Sequence, residues 1–497
     1  MLLKDLLQDS KVVAFPSQLN DCEIRDIKID HRKVKKGDLF IALSGKEKDG
    51  NDYIEAALEK GAAAVVSDKL SGEKIVSVEN ARKSYALASK HFWQDACDQL
   101  RVIAITGTNG KTTTANTISA LLQTAGAKVG TIGTLGATFG GKKLDTGFTT
   151  PDPYLLHKIF AEMKKEGQEF VVMEASAHAL ALNKLDGIKF EIGVLTNITE
   201  DHLDYFQTME NYAHAKQKLF ELGRVKLGLM CGEKPYMKEA LSNAEVPVIT
   251  YGISQGNDIY AKDIIKSFTG SKFICRYMGE EFDIKTPLVG GYNIENALAA
   301  IGVCKCLGVN TDLIKLGMNC LTPVEGRFNV IRMNGVNIII DFAHTPDGLE
   351  KVLTTAKELT KGRLTVVFGC GGNRDKLKRP IMGGIAASIA DEVVLTSDNP
   401  RFEKPMDIIN DIKQGMREDC ESNPCRKKAI EDVLERAKSG ETIIIAGKGG
   451  EKYQSIKGRD YPYNDFDVVY NFYRKKIKPI DLSAKHYEGV EEENELN

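Results

Sequence analysis

The stretch AITGTNGKTTT, residues 104–114, constrains this chain more than any other. It follows the apolar run RVIAIT and leads into TTTANTISALLQTAG, where Ile118, Leu121 and Leu122 recur at helical spacing. A strand, a glycine turn and a helix in that order bring backbone N–H groups and a helix N-terminus to one point, which favours anions. Gly107 and Gly110 allow a tight turn and a close approach to phosphate. Lys111 has the reach for β- and γ-phosphates, and the Thr112 hydroxyl suits Mg2+. The common spacing G-x-x-x-x-G-K-[ST] is not met, because Ile105 stands where its first glycine belongs. A plain glycine turn before a helix is the alternative. G-x-x-G-K-T-T between a strand and a helix is more particular than such a turn needs, so nucleotide binding is the expectation.

A chain of 497 residues outgrows a single core, which stops enlarging at about 250–300 residues. In residues 1–98, GDLFIAL reads as a strand, YIEAALEKGA as a helix, AAVVSD as the next strand, and NARKSYALASKHFWQDA as a helix leading out. Residues 99–326 hold the glycine loop and the further strands FVVMEAS and IGVLTNI, alternating with helical patterns. From 327 to 480 the pattern restarts: VNIIIDFAH, RLTVVFGCGG, DEVVLTSDNP and ETIIIAGKGG are apolar runs that each end in polar or glycine-rich residues. LTPVEGRF, 321–328, is read as the hinge before this last block. The expected fold class is α/β, with a central P-loop ATPase-type parallel or mixed sheet and a C-terminal Rossmann-like, doubly wound sheet. The tail, 481–497, is acidic and poor in apolar residues, so disorder is expected there.

A net charge of −2 gives no reason to expect nucleic acid or an anionic membrane as partner. MLLKDLLQDSK mixes acids into its apolar stretch, unlike a signal peptide, and NIIIDFA is far too short to span a bilayer. The ten cysteines form no C-x-x-C pair, which fits reduced thiols, and Cys304 and Cys306 in CKC read as core residues. A cytoplasmic chain without membrane insertion is expected.

A phosphate loop needs a carboxylate for its metal. Glu174 ends the strand FVVMEAS, where that carboxylate belongs, though a salt-bridged strand end reads the same. His178 is equally open. LTNITEDHLDYF, 195–206, packs Asn197, Glu200, Asp201, His202 and Asp204 together. A solvated loop explains the acids better than it explains the histidine among them, so His202 is read as near the metal.

TGTNGKTT, MEASAHAL, TNITEDHLDYF, YAHAKQKLF, GGYNIENALAA, GRFNVI, DFAHTPDGLE, GCGGNRDKLKRP, DNPR and GKGGEKYQ occur in this order. Together they resemble the Mur ligase family, and within it the members that add the third residue of the peptidoglycan stem peptide. The resemblance covers nearly all of the chain except the acidic tail. It implies a UDP-substrate domain, a central ATPase domain and a C-terminal Rossmann-like domain, in agreement with the three blocks. It also accounts for the loop spacing, since the family loop has the same G-T-N-G-K-T-T form.

The resemblance implies the following roles. Gly107, Thr108, Asn109, Gly110, Lys111, Thr112 and Thr113 hold ATP, with Lys111 on phosphates and Thr112 on one Mg2+. Glu174 is a Mg2+ ligand, and His202 binds a second ion. In A-K-x-x-L-F the lysine is Lys216, which the family carbamylates from CO2. A carbamate replaces a cation that two Mg2+ ions repel with an anion that they attract. Without the resemblance, Lys216 reads as an exposed helix lysine. Asn293 and Asn296 are implied at the adenine, Arg327 at the nucleotide on closure, and Asp341 and His344 at ATP from the third domain. From the residues alone, the last two also fit a helix cap.

The implied reaction joins a carboxylate to an amine. Phosphoryl transfer from ATP makes an acyl phosphate, the amine attacks it, and phosphate leaves. Positioning and charge neutralisation carry most of such catalysis, with water kept out by closure. IDHRKVKKGDLFIALSGKEKDGNDYI resembles the family's uridine-binding segment, with Asp30 and Arg32 of its D-S-R triplet and His31 in place of the serine. Thr149 and Thr150 in TTPDP resemble the loop that touches the muramoyl peptide. DNPR, 398–401, resembles the selector of meso-diaminopimelate, whose second carboxylate a guanidinium grips bidentately. Asp398, Asn399 and Arg401 are therefore implied at the amino acid, with Arg374, Gly447 and Glu451, the last on the ammonium end. Gly450 stands where the family's G-K-G-H-E has histidine.

The expected function is ATP- and Mg2+-dependent addition of meso-diaminopimelate to UDP-N-acetylmuramoyl-L-alanyl-D-glutamate by a monomer. The alternatives are the same reaction with L-lysine or another amino acid, and a paralogue with a changed acceptor. A folate ligase should lack the UDP-type block and DNPR, and a guanine-nucleotide switch should carry N-K-x-D; neither description fits. An inactive scaffold is opposed by the intact Lys111, Thr112, Glu174, His202 and Lys216.

Overall fold

Continuous apolar runs become strands buried on both faces, as a parallel sheet under two layers of helices requires. Arg101–Thr106, Phe170–Glu174, Leu364–Phe368 and Thr442–Ala446 follow this rule. The computed structural model describes residues 1–45, 48–232 and 236–476, and its strands form a five-stranded, an eleven-stranded and a six-stranded sheet with one separate hairpin. The expected acidic tail, 481–497, lies outside the described residues.

In the five-stranded sheet Leu39–Ile41 and Ala64–Ser67 run parallel at the centre, and Val12–Ala14 pairs antiparallel at one edge. Arg101–Thr106 occupies the interior of the eleven-stranded sheet, parallel to Phe190–Leu195 on one side and to Phe170–Glu174 on the other. Strand order reverses around it, and open α/β sheets bind ligands at the carboxyl ends of strands where the order reverses. The glycine turn sits at that end, ahead of the helix Lys111–Thr124. Antiparallel strands extend both edges: Gly136–Phe139 with Lys142–Leu144, and Gly270–Tyr277 with Glu280–Thr286. Continuous apolar runs do not reveal these edges. Burial alternates along Glu280–Thr286, so one face is wet and the apolar residues are sparse.

The six-stranded sheet is parallel except for Asn329–Met333, which pairs antiparallel with Val336–Asp341. Its two faces feed separate cores. Ile339, Val366 and Ile444 pack into one, and Ile338, Ile340, Val367 and Ile445 into the other. Asp341, Cys370, Ser397 and Gly447 all stand at the carboxyl ends of its strands. Between Thr311–Asn319 and Asn329–Met333 the chain has no helix or strand, in the segment read as the hinge. Cys304 is buried and Cys306 half-buried on the helix Gly291–Cys306, and both are free thiols. Among the described residues no helix is long and apolar enough to cross a membrane.

One buried ion pair fixes the C-terminal layer. Arg426 and Asp465 are both 0% exposed, with Nη2 to Oδ2 at 2.7 Å and Nε to Oδ1 at 2.9 Å. Arg426 Nη2 also donates to Ala446 O at 2.9 Å, which ties the helices Arg426–Arg436 and Asp465–Lys476 to the end of the strand Thr442–Ala446. Removing one partner leaves an uncompensated charge in a dry site. Arg426→Leu should therefore destabilise the protein by about 3–5 kcal/mol, read as a lowered urea midpoint; an unchanged midpoint contradicts this role.

Candidate active site

The glycine turn is stitched to the neighbouring strand end. Thr196 Oγ1 and Asn197 Nδ2 donate to Asn109 O at 2.6 and 3.1 Å, and Asn109 N donates to Asn197 Oδ1 at 3.0 Å. A Cβ at Gly107 (φ +141°) would lie 1.9 Å from Thr196 Oγ1, and one at Gly110 (φ +87°) 2.4 Å from Asn296 Oδ1. Both positions exclude a side chain, which is the physical content of the G-T-N-G spacing. Thr108 Oγ1 donates to Thr199 O at 3.1 Å. Lys111 Nζ folds back over the turn onto Gly107 O and Thr108 O, at 2.9 and 2.8 Å.

A cavity of about 320 Å³ opens over this turn, a size suited to small molecules. The central sheet lines it with residues 108–113, Thr134, Thr149, Glu174, Asp201 and His202, and the helix Gly291–Cys306 adds Asn293 and Asn296. Arg327, Asp341, Phe342, His344 and Lys351 line it from the hinge and the six-stranded sheet. The two asparagines are buried and chained, with Asn296 Nδ2 donating to Asn293 Oδ1 at 3.1 Å and Asn293 Nδ2 to Val289 O at 2.9 Å.

Glu174 accepts from Thr112 Oγ1 at 3.0 Å, and from Thr134 N and Thr134 Oγ1 at 3.0 and 3.1 Å. The Thr112 and Glu174 oxygens form a hard donor pair that fits Mg2+, an ion that takes few protein ligands and fills its shell with water and phosphate oxygens. Accordingly, no group of three or more His, Cys, Asp or Glu gathers into a cage among the described residues. His202 (φ +56°) stands across the cavity beside Asp201, with Nε2 to Oδ2 at 3.4 Å. Burial pushes the His202 imidazole down from its usual range against the pull of Asp201, which favours the neutral, ligating form. His178 packs its ring at 4.9 Å from His202 and 4.4 Å from Tyr205, and burial, then the His202 charge, lowers it to about 4. It is a packing residue of this corner.

Lys216 corrects the reading made from its residues alone. The helix Met209–Gln217 turns Tyr212, Ala213, Ala215 and Lys216 inward, so the lysine is 1% exposed. Its Nζ lies 4.1 Å from the centre of the Tyr212 ring. Burial, then the Lys111 charge, pushes its ammonium well below the usual lysine range. It stands behind the cavity wall.

From the other side, Asp341 accepts from Phe328 N at 2.7 Å and Ala343 N at 2.6 Å. Burial raises it to about 6 despite Arg327. His344 Nδ1 meets Phe342 O at 2.9 Å. Neither caps the next helix, Pro346–Leu359; Thr345 does. Arg327 stacks on the Phe342 ring at 4.2 Å. Burial lowers its guanidinium, opposed chiefly by the charges of Asp341 and Glu174.

A second cluster lies at the same strand ends of the six-stranded sheet. Asn399 Nδ2 donates to Glu451 Oε2 at 2.9 Å, and the buried Lys448 donates to Asn399 Oδ1 at 3.0 Å and Glu451 Oε2 at 2.8 Å. Asp398 accepts from Asn399 N at 2.6 Å and faces Gly447, where a Cβ would lie 2.6 Å from its Oδ2. Arg401 (φ +52°) donates to Gly372 O at 2.7 Å and has no carboxylate partner among the described residues. Arg374 is exposed on the adjoining loop. Lys448 is absent from the sequence-derived set, though it adjoins Gly447. Thr134, Tyr292 and Lys351 are likewise cavity residues that the sequence reading did not single out.

The first sheet's candidates stand apart from the cavity. Asp30 is fully engaged by Arg32, through N, Nε and Nη2 at 3.0, 2.9 and 2.9 Å, and lies lowered to about 2. His31 stacks on Tyr53 with ring centres 4.3 Å apart and planes nearly parallel, at 2°. Thr149 lines the cavity, and Thr150 Oγ1 donates to Glu174 O at 2.8 Å. The Gly450 position is explained by packing. A Cβ there would lie 2.9 Å from Glu325 O, and one at Gly326 1.9 Å from Gly450 N, so the hinge turn and this loop meet backbone to backbone.

Comparisons with known proteins agree with this geometry. Sequence profiles of the Mur ligase family, catalytic domain, match residues 23–100; of the Mur ligase middle domain, residues 105–304; and of the Mur ligase, glutamate ligase domain, residues 326–449. The chain is 39% identical over 485 residues to UDP-N-acetylmuramoyl-L-alanyl-D-glutamate–2,6-diaminopimelate ligase 1 of Clostridium acetobutylicum, covering 96% of this chain and 100% of that protein. It is 40% identical over 450 residues to the similarly named ligase of Aquifex aeolicus, covering 90% and 93%. A solved structure of a ligase of that name superposes with a TM-score of 0.71 at 32% identity, covering 96% and 99%. With likeness this extensive along both sequence and structure, the chain belongs to the Mur ligase family.

Proposed function

We propose that the chain is an ATP-dependent ligase that adds meso-diaminopimelate to UDP-N-acetylmuramoyl-L-alanyl-D-glutamate through an acyl phosphate. The supporting observation is one cavity lined both by the glycine turn and by Asp341 and His344 of the six-stranded sheet, with the Asn399–Glu451 cluster at the carboxyl ends of that same sheet. The proposal takes 1–98 as the UDP-substrate unit, 99–326 as the ATP unit and 327–480 as the amino-acid unit. The proposal further takes the ligase to act as a monomer in the cytoplasm.

In this reading Lys111 leaves its carbonyl partners for phosphate, and the turn's N–H groups hold the remaining oxygens. Thr112 and Glu174 hold one Mg2+, and His202 faces a second. Bound there, Mg2+ would supply neutralising charge to the phosphate oxygens. Asn293 and Asn296 meet the base, and Arg327, Asp341 and His344 close over the nucleotide. Asp30, Arg32, Thr149 and Thr150 serve the UDP-peptide. Glu451 receives the ammonium of the incoming amino acid. The guanidinium of Arg401, bonded to Gly372 O but to no carboxylate among the described residues, receives the distal carboxylate with Arg374 beside it, and this favours diaminopimelate over lysine.

Lys216 is proposed to carry a carbamate. Its burial and lowered proton affinity supply the neutral amine that adds to CO2, forming an N–C bond and releasing a proton. The product anion offsets the cations around it.

Three outcomes are expected. Phosphate release with Mg2+-ATP should need both the UDP-muramoyl dipeptide and an amine, and an amino-acid panel should favour meso-diaminopimelate; release indifferent to the amine, or equal use of L-lysine, contradicts the reading. Lys216→Ala should be nearly inactive, recover in part with small carboxylates, and lose the carbamate signal that labelled bicarbonate gives in the unmodified protein; full activity removes the carbamate role. Arg401→Ala should raise the KM for diaminopimelate by about 10–100-fold, as loss of a charged hydrogen bond predicts, with the KM for ATP unchanged; equal shifts in both contradict a selector role.

A further inference from the structure

The cavity holds a cation that the reaction above does not use. Lys351 lies on the helix Pro346–Leu359 and lines the cavity from the six-stranded sheet's side. Its Nζ donates to Asp347 Oδ2 at 2.6 Å, one turn back on the same helix. The same oxygen accepts from Asn109 Nδ2 at 2.7 Å, a bond that crosses from this helix to the glycine turn. Both side chains keep some water, at 21% and 22% exposure, so the pair is free to rearrange.

Asp347 is oddly placed. It sets a carboxylate at the edge of a turn built for anions, where it repels an incoming phosphate. Its two partners explain it. It holds Asn109, which shapes the turn, and it holds the ammonium of Lys351 within the cavity. On the glycine turn itself Lys111 is a single cation tied to two carbonyls, whereas a triphosphate brings several negative charges.

We propose that Lys351 contacts the nucleotide's phosphates, and that Asp347 is a positioning residue that parks it against the glycine turn until they arrive. On binding, phosphate oxygens take the Lys351 ammonium, while Asp347 keeps Asn109. The third unit thereby contributes charge to the phosphate site, and closure across the hinge and nucleotide binding favour one another. This rests on the ATP-site reading above.

Titration calorimetry of the full chain with Mg2+-ATP tests it. Lys351→Ala should weaken binding by about 10–100-fold, Lys351→Arg should keep most of it, and the KM for diaminopimelate should stay within about twofold in both. Asp347→Asn should tighten binding about threefold, by releasing Lys351 to phosphate, and should do so far less in the Lys351→Ala background. Unchanged binding in Lys351→Ala, with an unchanged urea midpoint, overturns the contact. An Asp347→Asn gain of equal size in both backgrounds overturns the parking role. Lys111→Ala separates the two readings. If it weakens binding while Lys351→Ala leaves binding unchanged, only this inference falls; if the unmodified chain binds no ATP, the site reading itself falls.

Discussion

Three hydrogen bonds between Asn109 and the Thr196–Asn197 strand end fix the glycine turn, and the rest of the site is arranged around them. They occupy both the N–H and the carbonyl of Asn109, and Thr108 N–H donates to Asn197 O at 2.9 Å, so the middle of the turn is committed to the neighbouring strand end. They also set the direction of the Asn109 side chain, which reaches Asp347 on the opposite unit. A turn held only by its own glycines would be free to adopt many shapes. Here two adjacent parallel strands dictate one, because Thr196 follows Leu195, whose register partner is Thr106.

Charge is the second organising element. Lys111, Arg327 and Lys351 face Glu174, Asp201 and Asp341 around a small volume. Burial works against each charged form, lowering Lys111 and Arg327 and raising Asp341, while the opposite charges pull back. Such a site is poised between its own ion pairs and those of a polyanionic ligand. Lys216 is tied into the same balance, since burial and the Lys111 charge push its ammonium down and Asp201 pulls it back, with the Tyr212 ring face 4.1 Å from its Nζ.

Much of this was legible in the sequence, for definite reasons. The apolar runs ending at Thr106, Glu174, Asp341 and Ala446 are buried on both faces, so they stand out as strands and their polar ends stand out as ligand-facing loops. The edge strands between 259 and 286 hid, because half-wet strands alternate and resemble loops. Lys216 looked exposed because a single lysine on a short helix gives no sign of which way that helix is rolled; tertiary packing decides it. Lys351 and Lys448 were hidden for a similar reason. Each pairs with an acid three or four residues away, and from sequence alone such a pair reads as ordinary helix or loop decoration.

The backbone contact between Gly326 and the 449–450 loop has a mechanical consequence. Two peptide segments in such close apposition, with the Lys452–Glu325 pair at 2.6 Å alongside, travel as one piece. Any rotation of the six-stranded sheet against the eleven-stranded one is thereby left to residues 320–324, ahead of the joint. Arg327 rides with the six-stranded sheet, so on the proposed function its guanidinium and the amino-acid cluster would reach the nucleotide in one movement.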